Sequence, residues 1–400
     1  MNGLAMTGPG FRAAEPRRPM AVLHVITRLE RGGSSDCTLW QAIGAARRGH
    51  HVTLACGPSS AEAPLLARAR REPGIDFMTL PTLGRPVRPG ADLRAFFDIL
   101  ALLHRRRYDV IHLHTSKAGA LGRLAAALLG QRRRVVHQPH GHLFYGYYGR
   151  LGDALVLFAE RLLAPLAARQ LALTARGARE HLARGVGREQ QFRVIPSGVE
   201  MRPLRDAARG RDAARRRLGY APGDLVVMSL ARLEPIKGAP LTLRAFARAA
   251  TDRPALRLHL AGDGPLLEAL RAEAAALGIG SRVRLDGRWG SPHDLLPAAD
   301  LFVLAPRNEG MGRAVVEALA LGVPVIATSV GGLPEVLQEG ASGVLVPPDD
   351  ELALAAALAR LADDQASRSE LGRRGRARAV EYGAGRMVHR VLNLYREIAA

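Results

Sequence analysis

The sequence has few cysteines, few aromatic residues and no long uninterrupted apolar segment. Its two cysteines, Cys37 and Cys56, are too few for a disulfide framework or a cysteine zinc site, so we interpret both as buried thiols in a reducing compartment. Aromatic residues make up 4% of the chain, and no strand is rich enough in them to stack bases, which argues against nucleic-acid binding. The longest apolar segment, residues 151–168, is interrupted by three charged residues and does not supply the roughly 20 apolar residues of a spanning helix.

Acidic residues are scarce relative to basic ones. The 57 lysines and arginines against 37 aspartates and glutamates give a net charge of +20, and nearly all of the excess is arginine. Such a charge favours anionic partners, namely nucleotide phosphates, an acidic lipid surface or nucleic acid. Because charged side chains mostly occupy solvated faces, we interpret the arginine runs at residues 105–107, 132–134 and 215–217 as solvated helix ends.

Length and the N-terminal residues bound the domain organisation. A chain of 400 residues exceeds what one hydrophobic core usually supports, which predicts two domains. The first residues contain no apolar core of secretory-signal length. We therefore expect a flexible N-terminal segment over residues 1–19 and a cytoplasmic protein, in contact at most with the inner face of the cell membrane.

Short apolar runs alternate with glycine turns and helical stretches along most of the chain. This alternation predicts an α/β fold, built as two doubly wound Rossmann-like domains that face each other across a cleft. A junction in the arginine-rich stretch after residue 200 gives domains over 20–200 and 201–380, and a C-terminal helix over 381–400 that packs back on the first domain. Strands are predicted at residues 20–27, 51–55, 110–114, 225–230, 256–261, 283–286, 301–304 and 324–327.

Two glutamates follow the predicted strand 301–304 where a helix begins. Glu309 lies in the strand-to-helix loop and Glu317 about two turns into the helix. Gly310 and Gly312 allow a tight turn that points N–H groups of the first helical turn at an anion such as a diphosphate. Glu317 is then placed to accept hydrogen bonds from ribose hydroxyls, and Glu309 from sugar hydroxyls. The alternative is that both are ordinary solvated carboxylates.

Two cations lie in the loop after the predicted strand 225–230. We expect Arg232 and Lys237 at the same sheet edge as Glu309, where they neutralise a diphosphate leaving group and stabilise a transition state without a metal. The alternative is that Lys237 only caps the turn at Gly238.

Two further glycine turns follow strands. Gly33, in the first strand-to-helix turn, allows the backbone to approach phosphate closely. Residues 262–265, Gly-Asp-Gly-Pro, also end a strand, but Leu267 stands where a nicotinamide-binding turn has its third glycine, which argues against that cofactor.

Taken in order along the chain, these motifs resemble the retaining glycosyltransferases of family 4, which have the two-Rossmann glycosyltransferase B architecture. The resemblance covers nearly the whole chain after residue 20, and the ordered set is specific although each motif alone is not. It is carried by Gly32-Gly33, the His-Gly-His segment 140–142, Arg232 with Lys237-Gly238, Gly262-Asp263-Gly264-Pro265, Glu309 with Glu317 eight positions on, and Gly331-Gly332-Leu333-Pro334-Glu335.

The resemblance implies donor-binding roles in the C-terminal domain. Arg232 and Lys237 resemble the clamp of the donor diphosphate, and Glu317 resembles the ribose ligand. Glu309, together with the backbone of Gly310, Met311 and Gly312, resembles the cradle of the donor sugar.

Other residues fit the family pattern less closely. Gly33 would approach the diphosphate from the N-terminal, acceptor-side domain, and Arg288 resembles the residue beside the nucleotide base. The family usually has glycine where Ala231 stands and often an aromatic residue where Met311 stands, and Arg313 is bulkier than the expected apolar residue. These departures leave the diphosphate clamp of Arg232 and Lys237 intact, but they do not indicate which sugar the donor carries.

Histidines follow two predicted strands. Of the three in residues 136–145, His140 best matches the family histidine that touches the donor sugar near the reacting carbon, and we assign structural roles to the other two. His112 and His114 share a strand and are expected to point to opposite faces, with His114 and Lys117 on the acceptor side. We expect no metal, because no cluster has the spacing of metal ligands.

The resemblance implies metal-independent transfer of a hexose, with retention, from a UDP-sugar or GDP-sugar to a hydroxyl of a glycan or lipid-linked acceptor. One alternative is a nucleotide-sugar epimerase or hydrolase of the same architecture, which turns over donor without acceptor. The other is an anion-binding or nucleic-acid-binding protein. For peripheral contact with an anionic membrane, residues 93–103 offer an apolar stripe beside three arginines, although such stripes more often face a core.

Overall fold

The computed structural model describes residues 18–30, 32–59, 64–141, 149–287 and 291–400. The strands of these residues are β1 (Ala21–Ile26), β2 (His51–Cys56), β3 (Ile75–Thr79), β4 (Val110–His114), β5 (Val135–Gln138), β6 (Arg169–Ala172), β7 (Phe192–Val194), β8 (Leu225–Leu230), β9 (Leu256–Ala261), β10 (Val283–Asp286), β11 (Leu301–Leu304), β12 (Val325–Thr328) and β13 (Val344–Val346).

Helices connect these strands. They are α1 (Gly33–Ala46), α2 (Pro64–Arg71), α3 (Pro89–Arg105), α4 (Ser116–Leu128), α5 (Gly149–Leu163), α6 (Ala175–Ala183), α7 (Met201–Ala208), α8 (Arg211–Leu218), α9 (Ala239–Ala249), α10 (Leu267–Ala276), α11 (Pro292–Leu295), α12 (Arg313–Leu321), α13 (Leu333–Val336), α14 (Glu351–Asp363), α15 (Gln365–Ala379) and α16 (Ala384–Ala399). Within the described part of the chain, none is both long and apolar enough to cross a membrane.

Both sheets have the strand order of a doubly wound fold. The first has the order β3-β2-β1-β4-β5-β6-β7 and the second β10-β9-β8-β11-β12-β13. In each sheet the chain moves outward from its first strand and then returns to that strand's other side, at β4 and at β11. The pairings there are parallel, with Val22 opposite Val110 and Val227 opposite Leu301. The predicted α/β class is confirmed, and ligands of such folds bind beyond the carboxyl ends of the strands at this reversal.

Alternating side chains of the second sheet build a core on each face. Val226 and Phe302 pack in a cluster with α12, whereas Val227 and Val303 pack in a cluster with α9 and α14. Successive residues of a strand point to opposite faces, so a run of aliphatic residues is what a strand covered on both sides requires. The core therefore fixes the strand ends, and with them the loops that follow.

The described residues form two compact units. One contains the described residues up to Val136 together with Leu392–Ala400, and the other contains His137–Val391. Strand β5 and helix α16 have residues in both units. The domain boundaries at residues 200 and 380 stay a prediction.

Two predictions about single residue types have different outcomes. Both cysteines are buried and unbridged, as expected. The interpretation of residues 215–217 as a solvated run is wrong for Arg215, which is buried and donates to Asp300 Oδ2 at 3.0 Å and to the Ala221 carbonyl oxygen at 2.9 Å. Its buried charge is paired and hydrogen-bonded, which is the condition for burying a guanidinium group.

Candidate active site

The loops after β8 and β11 meet at the carboxyl edge of the second sheet, where the two strands are neighbours. Lys237 Nζ donates to Glu309 Oε2 at 2.8 Å, and each side chain is only 19% exposed. The structure therefore brings two of the residues predicted from sequence into direct contact.

The Glu309 carboxylate lies at the start of α12. It accepts the Gly310 N–H at 3.1 Å and is also hydrogen-bonded by the Gly312 backbone. Burial alone would raise the pKa of this carboxyl group, but Lys237 and the two backbone groups outweigh burial and lower the pKa below its usual value. The start of α12 therefore stabilises a negative charge, here the protein's own carboxylate.

Glycines allow the backbone around this ion pair to pack closely. Gly238 has φ 74°, and a Cβ atom there would lie 1.8 Å from the Ala305 carbonyl oxygen. Gly331 has φ 49°, and a Cβ atom there would lie 1.9 Å from the Glu309 carbonyl oxygen, which also accepts the Gly332 N–H at 3.1 Å. A side chain at either position would push the loops apart, so these motifs hold the site's backbone in place.

Arg232 lies in the same loop as Lys237 but has a different partner. Its guanidinium pairs with Glu234 Oε1 at 3.0 Å, and half of its side chain is exposed. An exposed ion pair is weak, so a phosphate group can compete for this guanidinium. The 262–265 turn supports the loop, because the Leu233 N–H donates to the Asp263 carbonyl oxygen at 2.7 Å.

Glu317 lies just over one turn into α12, since the helix begins at Arg313 rather than at the loop glycines. Its side chain is buried, so the alternative of a solvated carboxylate is wrong for this residue. Arg313 Nε donates to Glu317 Oε1 at 3.1 Å. An Arg–Glu spacing of four on a helix is the pattern of such a pair, so this contact could have been predicted from sequence, where Arg313 stands out only as bulkier than the family residue.

The three residues predicted to cradle the sugar have different environments. Gly310 lies against the 140–141 segment, because a Cβ atom there would be 3.4 Å from Gly141 Cα. Met311 is buried in the core of the second sheet, so only its backbone is left to line the site. Gly312 has φ 76° and is the N-cap of α12.

His140 follows β5 and reaches the Glu309 loop. Its φ of 63° is unusual for a residue with a side chain, and such backbone persists only where the surroundings fix it. The His140 carbonyl oxygen would lie 3.5 Å from a Cβ atom at Gly310. Burial lowers the pKa of the imidazole to about 3, so the ring is neutral near pH 7 and can both donate and accept hydrogen bonds. These properties suit the sugar contact predicted for it.

Of the other residues predicted for the site, Gly33 and Lys117 belong to the first unit. Gly33 is the first residue of α1, and Lys117 Nζ pairs with Asp92 Oδ1 at 2.6 Å. Arg288 and His142 lie outside the described residues. The ligand roles assigned to Gly33, Lys117 and Arg288 stay predictions.

The expectation that His112 and His114 point to opposite faces is wrong. Residues two apart on a strand share a face, and the two ring centres are 4.1 Å apart. Among the described residues, these two and His24 are the one group with ligand atoms close enough to share a metal ion, within 4.8 Å of one another. Sequence reasoning missed the group because His24 is on a different strand, β1.

Two short contacts between polar atoms link the members of this group. His24 Nδ1 lies 3.0 Å from His114 Nε2, and the Tyr395 hydroxyl lies 2.6 Å from His112 Nδ1. All four side chains are fully buried in the first unit. The role of His114 on the acceptor side stays a prediction, and in this structure its ring lies in the core.

Comparison with known proteins gives consistent matches over both halves of the chain. Residues 210–378 match the family described as Glycosyl transferases group 1, and residues 32–198 match the Glycosyl transferase 4-like domain. The D-inositol 3-phosphate glycosyltransferase of Thermobispora bispora is 33% identical over 313 residues, which are 74% of this chain and 72% of the relative. The UDP-Gal:alpha-D-GlcNAc-diphosphoundecaprenol alpha-1,3-galactosyltransferase of Escherichia coli is 28% identical over 290 residues, 72% of this chain and 74% of the relative.

The fold also matches solved structures. The crystal structure of Anabaena HepE in complex with UDP and glucose has a TM-score of 0.78 with 21% identity, over 94% of this chain and 100% of that chain. At this identity the match shows the fold alone, whereas the two family matches and the Thermobispora relative show the family. The chain belongs to the group 1 glycosyltransferases.

Proposed function

We propose that this glycosyltransferase moves a hexose from a UDP-sugar or GDP-sugar to a hydroxyl acceptor, with retention of configuration and without a metal. The observation that carries the proposal is the half-buried Lys237–Glu309 pair beside the start of α12, in which Nζ and Oε2 are 2.8 Å apart. An ammonium group, helix N–H groups and a carboxylate together offer contacts for a diphosphate and for sugar hydroxyls.

The chemical step breaks the bond between the anomeric carbon and the diphosphate oxygen. Lys237, Arg232 and the start of α12 stabilise the charge that develops on the leaving diphosphate, which is the task a metal performs elsewhere. The acceptor hydroxyl attacks from the same face and gives up its proton to the departing diphosphate oxygen as the new glycosidic bond forms. Glu317 holds the ribose, Glu309 the sugar hydroxyls, and the neutral His140 ring contacts the sugar near the reacting carbon.

Donor and acceptor classes are suggested by the relatives. The Escherichia coli relative is named for UDP-Gal and a diphosphoundecaprenol-linked acceptor, and HepE was solved with UDP. We therefore favour a UDP-sugar over a GDP-sugar. Of the acceptors in the relatives' names, D-inositol 3-phosphate is soluble, and that of the Escherichia coli relative is a lipid-linked glycan. Such an acceptor implies work in surface-polysaccharide or lipid-linked glycan synthesis at the inner face of the cell membrane.

The test incubates the protein with UDP-Glc, UDP-Gal, UDP-GlcNAc or GDP-Man and a polyprenyl-diphosphate-linked GlcNAc acceptor, with excess EDTA. We expect acceptor-dependent transfer from one donor, and NMR of the product should show the anomeric configuration of that donor. Donor loss or epimerisation at the same rate without acceptor would instead support the epimerase or hydrolase alternative. RNA binding with a steep salt dependence that Glu309→Ala leaves unchanged would support the nucleic-acid alternative.

A further inference from the structure

Helix α5 presents an apolar face to solvent. The structure describes all of its residues, and none of them is buried. Leu151, Leu155, Phe158 and Leu162, here called the α5 stripe, are between 56% and 89% exposed. Their spacing of four, three and four aligns them along one side of the helix over about 16 Å. Monomeric soluble proteins seldom leave such a contiguous apolar row in water.

The opposite side of α5 is turned toward the protein. At about 100° per residue, Asp153 and Glu160 lie roughly opposite the α5 stripe. Both acidic residues are half-buried, as are Val156 and Leu163 on that inner side. The helix thus keeps its negative charges away from the surface that the stripe forms.

Positive charges lie beside the α5 stripe. Arg150 and Arg161 are exposed and fall on its flank, between the stripe and the acidic side. Arg161 Nε donates to the Arg184 carbonyl oxygen at 2.7 Å, which brings a third exposed arginine to this end of the helix. Apolar residues flanked by arginine, with acidic residues on the far side, are the pattern of a helix that lies in the interface of an anionic membrane.

We propose that the α5 stripe docks the protein on an acidic lipid bilayer, with the four apolar side chains in the headgroup boundary and the flanking arginines against lipid phosphates. The net charge of +20 favours the same partner at longer range. The proposal does not depend on the donor chemistry proposed above. Docking through the α5 stripe would place the enzyme on the same membrane that holds a lipid-linked acceptor.

Helix α3, considered from sequence for this role, supplies a matched control. Its Leu93 and Phe97 are as exposed as Phe158, at 57% and 55%. However, Leu103, which the sequence placed in the same stripe, is buried, as are Ile99 and Leu102, so most of the apolar surface of α3 faces the core. Each helix therefore has an exposed leucine and an exposed phenylalanine that can be replaced. Only on α5 do these two residues belong to a row of four exposed apolar side chains.

The experiment is cosedimentation of the full chain with vesicles of phosphatidylcholine alone or mixed with phosphatidylglycerol. It compares the wild type with Leu155→Glu/Phe158→Glu on α5 and with Leu93→Glu/Phe97→Glu on α3. Because all four side chains are exposed, neither variant empties a core position. Circular dichroism and UDP affinity serve as controls for folding, and we expect both to stay unchanged.

We expect the wild type and the α3 variant to bind the anionic vesicles and to be released by salt. The α5 variant should bind at least about tenfold more weakly, because it loses apolar contact and adds negative charge. Equal binding of the α5 and α3 variants to anionic vesicles would overturn the proposal. So would a wild type that does not bind anionic vesicles. The wild type could instead form a dimer in sedimentation velocity and fail to bind vesicles, while the α5 variant is a monomer. That result would show that the stripe contacts a second copy of this chain rather than a membrane. If the wild type binds anionic vesicles but not UDP, the proposed function would be contradicted and the membrane proposal for the α5 stripe would stand.

Discussion

One polar pair of the second sheet is charged and lies in loops, whereas one polar cluster of the first sheet is built mainly from histidine rings on the strands themselves. Lys237 and Glu309 form the donor-edge pair, 2.8 Å apart beyond the ends of β8 and β11. The histidine cluster consists of His24, His112, His114 and Tyr395, and three of its members lie within β1 and β4. Both regions pair polar groups away from solvent, but by different means.

The difference separates a binding site from a scaffold. In the donor-edge pair, Lys237 and nearby backbone groups outweigh burial and lower the pKa of Glu309, so the carboxylate is held by contacts that a ligand can exchange. In the histidine cluster, burial lowers the pKa of His24 to about 3, so that ring is uncharged near pH 7. Breaking the donor-edge pair should therefore reduce turnover, and breaking the histidine cluster should reduce stability.

The largest effect is expected from Lys237→Ala. Removing a charge that stabilises the leaving diphosphate should lower kcat by about 10²- to 10³-fold, measured as transfer to the acceptor. Lys117→Ala is the matched control, because Lys117 pairs with Asp92 at 2.6 Å and is similarly buried. It should leave the donor KM within about twofold. If Lys237→Ala and Lys117→Ala lose donor affinity equally, the loss would be an effect of removing any half-buried lysine and not of removing the charge beside Glu309.

A second variant separates charge from folding. Lys237→Ala leaves Glu309 buried without its partner, which costs about 3–5 kcal/mol of unfolding free energy. Lys237→Met combined with Glu309→Gln removes both charges and should recover most of that stability, measured by urea unfolding, without recovering turnover. Recovery of turnover along with stability would contradict an electrostatic role for the donor-edge pair.

Glu317→Ala is expected to weaken nucleotide affinity by about 10- to 100-fold, since hydrogen bonds to a charged group are lost. If Glu317 binds ribose, the loss should be the same for uridine and UDP in calorimetric titrations. Glu335→Ala is the control, because Glu335 accepts the Arg176 backbone N–H at 3.2 Å but has no proposed ligand role. A loss confined to UDP would contradict the ribose assignment.

The histidine cluster should make the protein sensitive to acid. The unfolded chain takes up a proton at His24 near pH 6.5, whereas burial lowers the pKa of the folded state to about 3. The unfolded state therefore binds more protons between these values, and stability falls as pH decreases, by about 2 kcal/mol for this group at pH 5. His24→Asn should remove that part of the difference between pH 7 and pH 5 in urea unfolding. His51→Asn, at an exposed position on β2, should not.

The smallest effect is expected from Tyr395→Phe. It removes the hydroxyl 2.6 Å from His112 Nδ1 and should lower the unfolding free energy by about 1–2 kcal/mol at pH 7. Turnover per folded molecule should not change. Reduced turnover with unchanged stability would place the histidine cluster among the functional groups and end the distinction between the two regions.

The elements made by runs of aliphatic residues could be predicted from sequence. β8, β9, β10, β11 and β4 match the predicted bounds, because a strand buried on both faces leaves a continuous apolar run. The strands β3, β6, β7 and β13 were missed. They have three to five residues, too few for a long apolar run, and β3 and β7 are only partly buried.

The site residues that directly follow strands could be predicted from sequence. Contacts between residues far apart in the chain could not. Strand ends located Lys237 and Glu309, yet their contact joins positions 72 apart, and that of His24 with His114 joins positions 90 apart. Only the fold brings such residues together. Two errors were avoidable from sequence, because the shared face of His112 and His114 and the helical spacing of Arg313 and Glu317 both follow from local geometry.

The most direct test of the account is calorimetric titration with UDP in the presence of EDTA. We predict that the wild type binds UDP, that Lys237→Ala weakens binding by at least about tenfold, and that Tyr395→Phe leaves it unchanged. Absence of UDP and GDP binding by the folded wild type would contradict the donor site at the second sheet. Equal weakening by Tyr395→Phe and Lys237→Ala would contradict the division into a binding site and a scaffold.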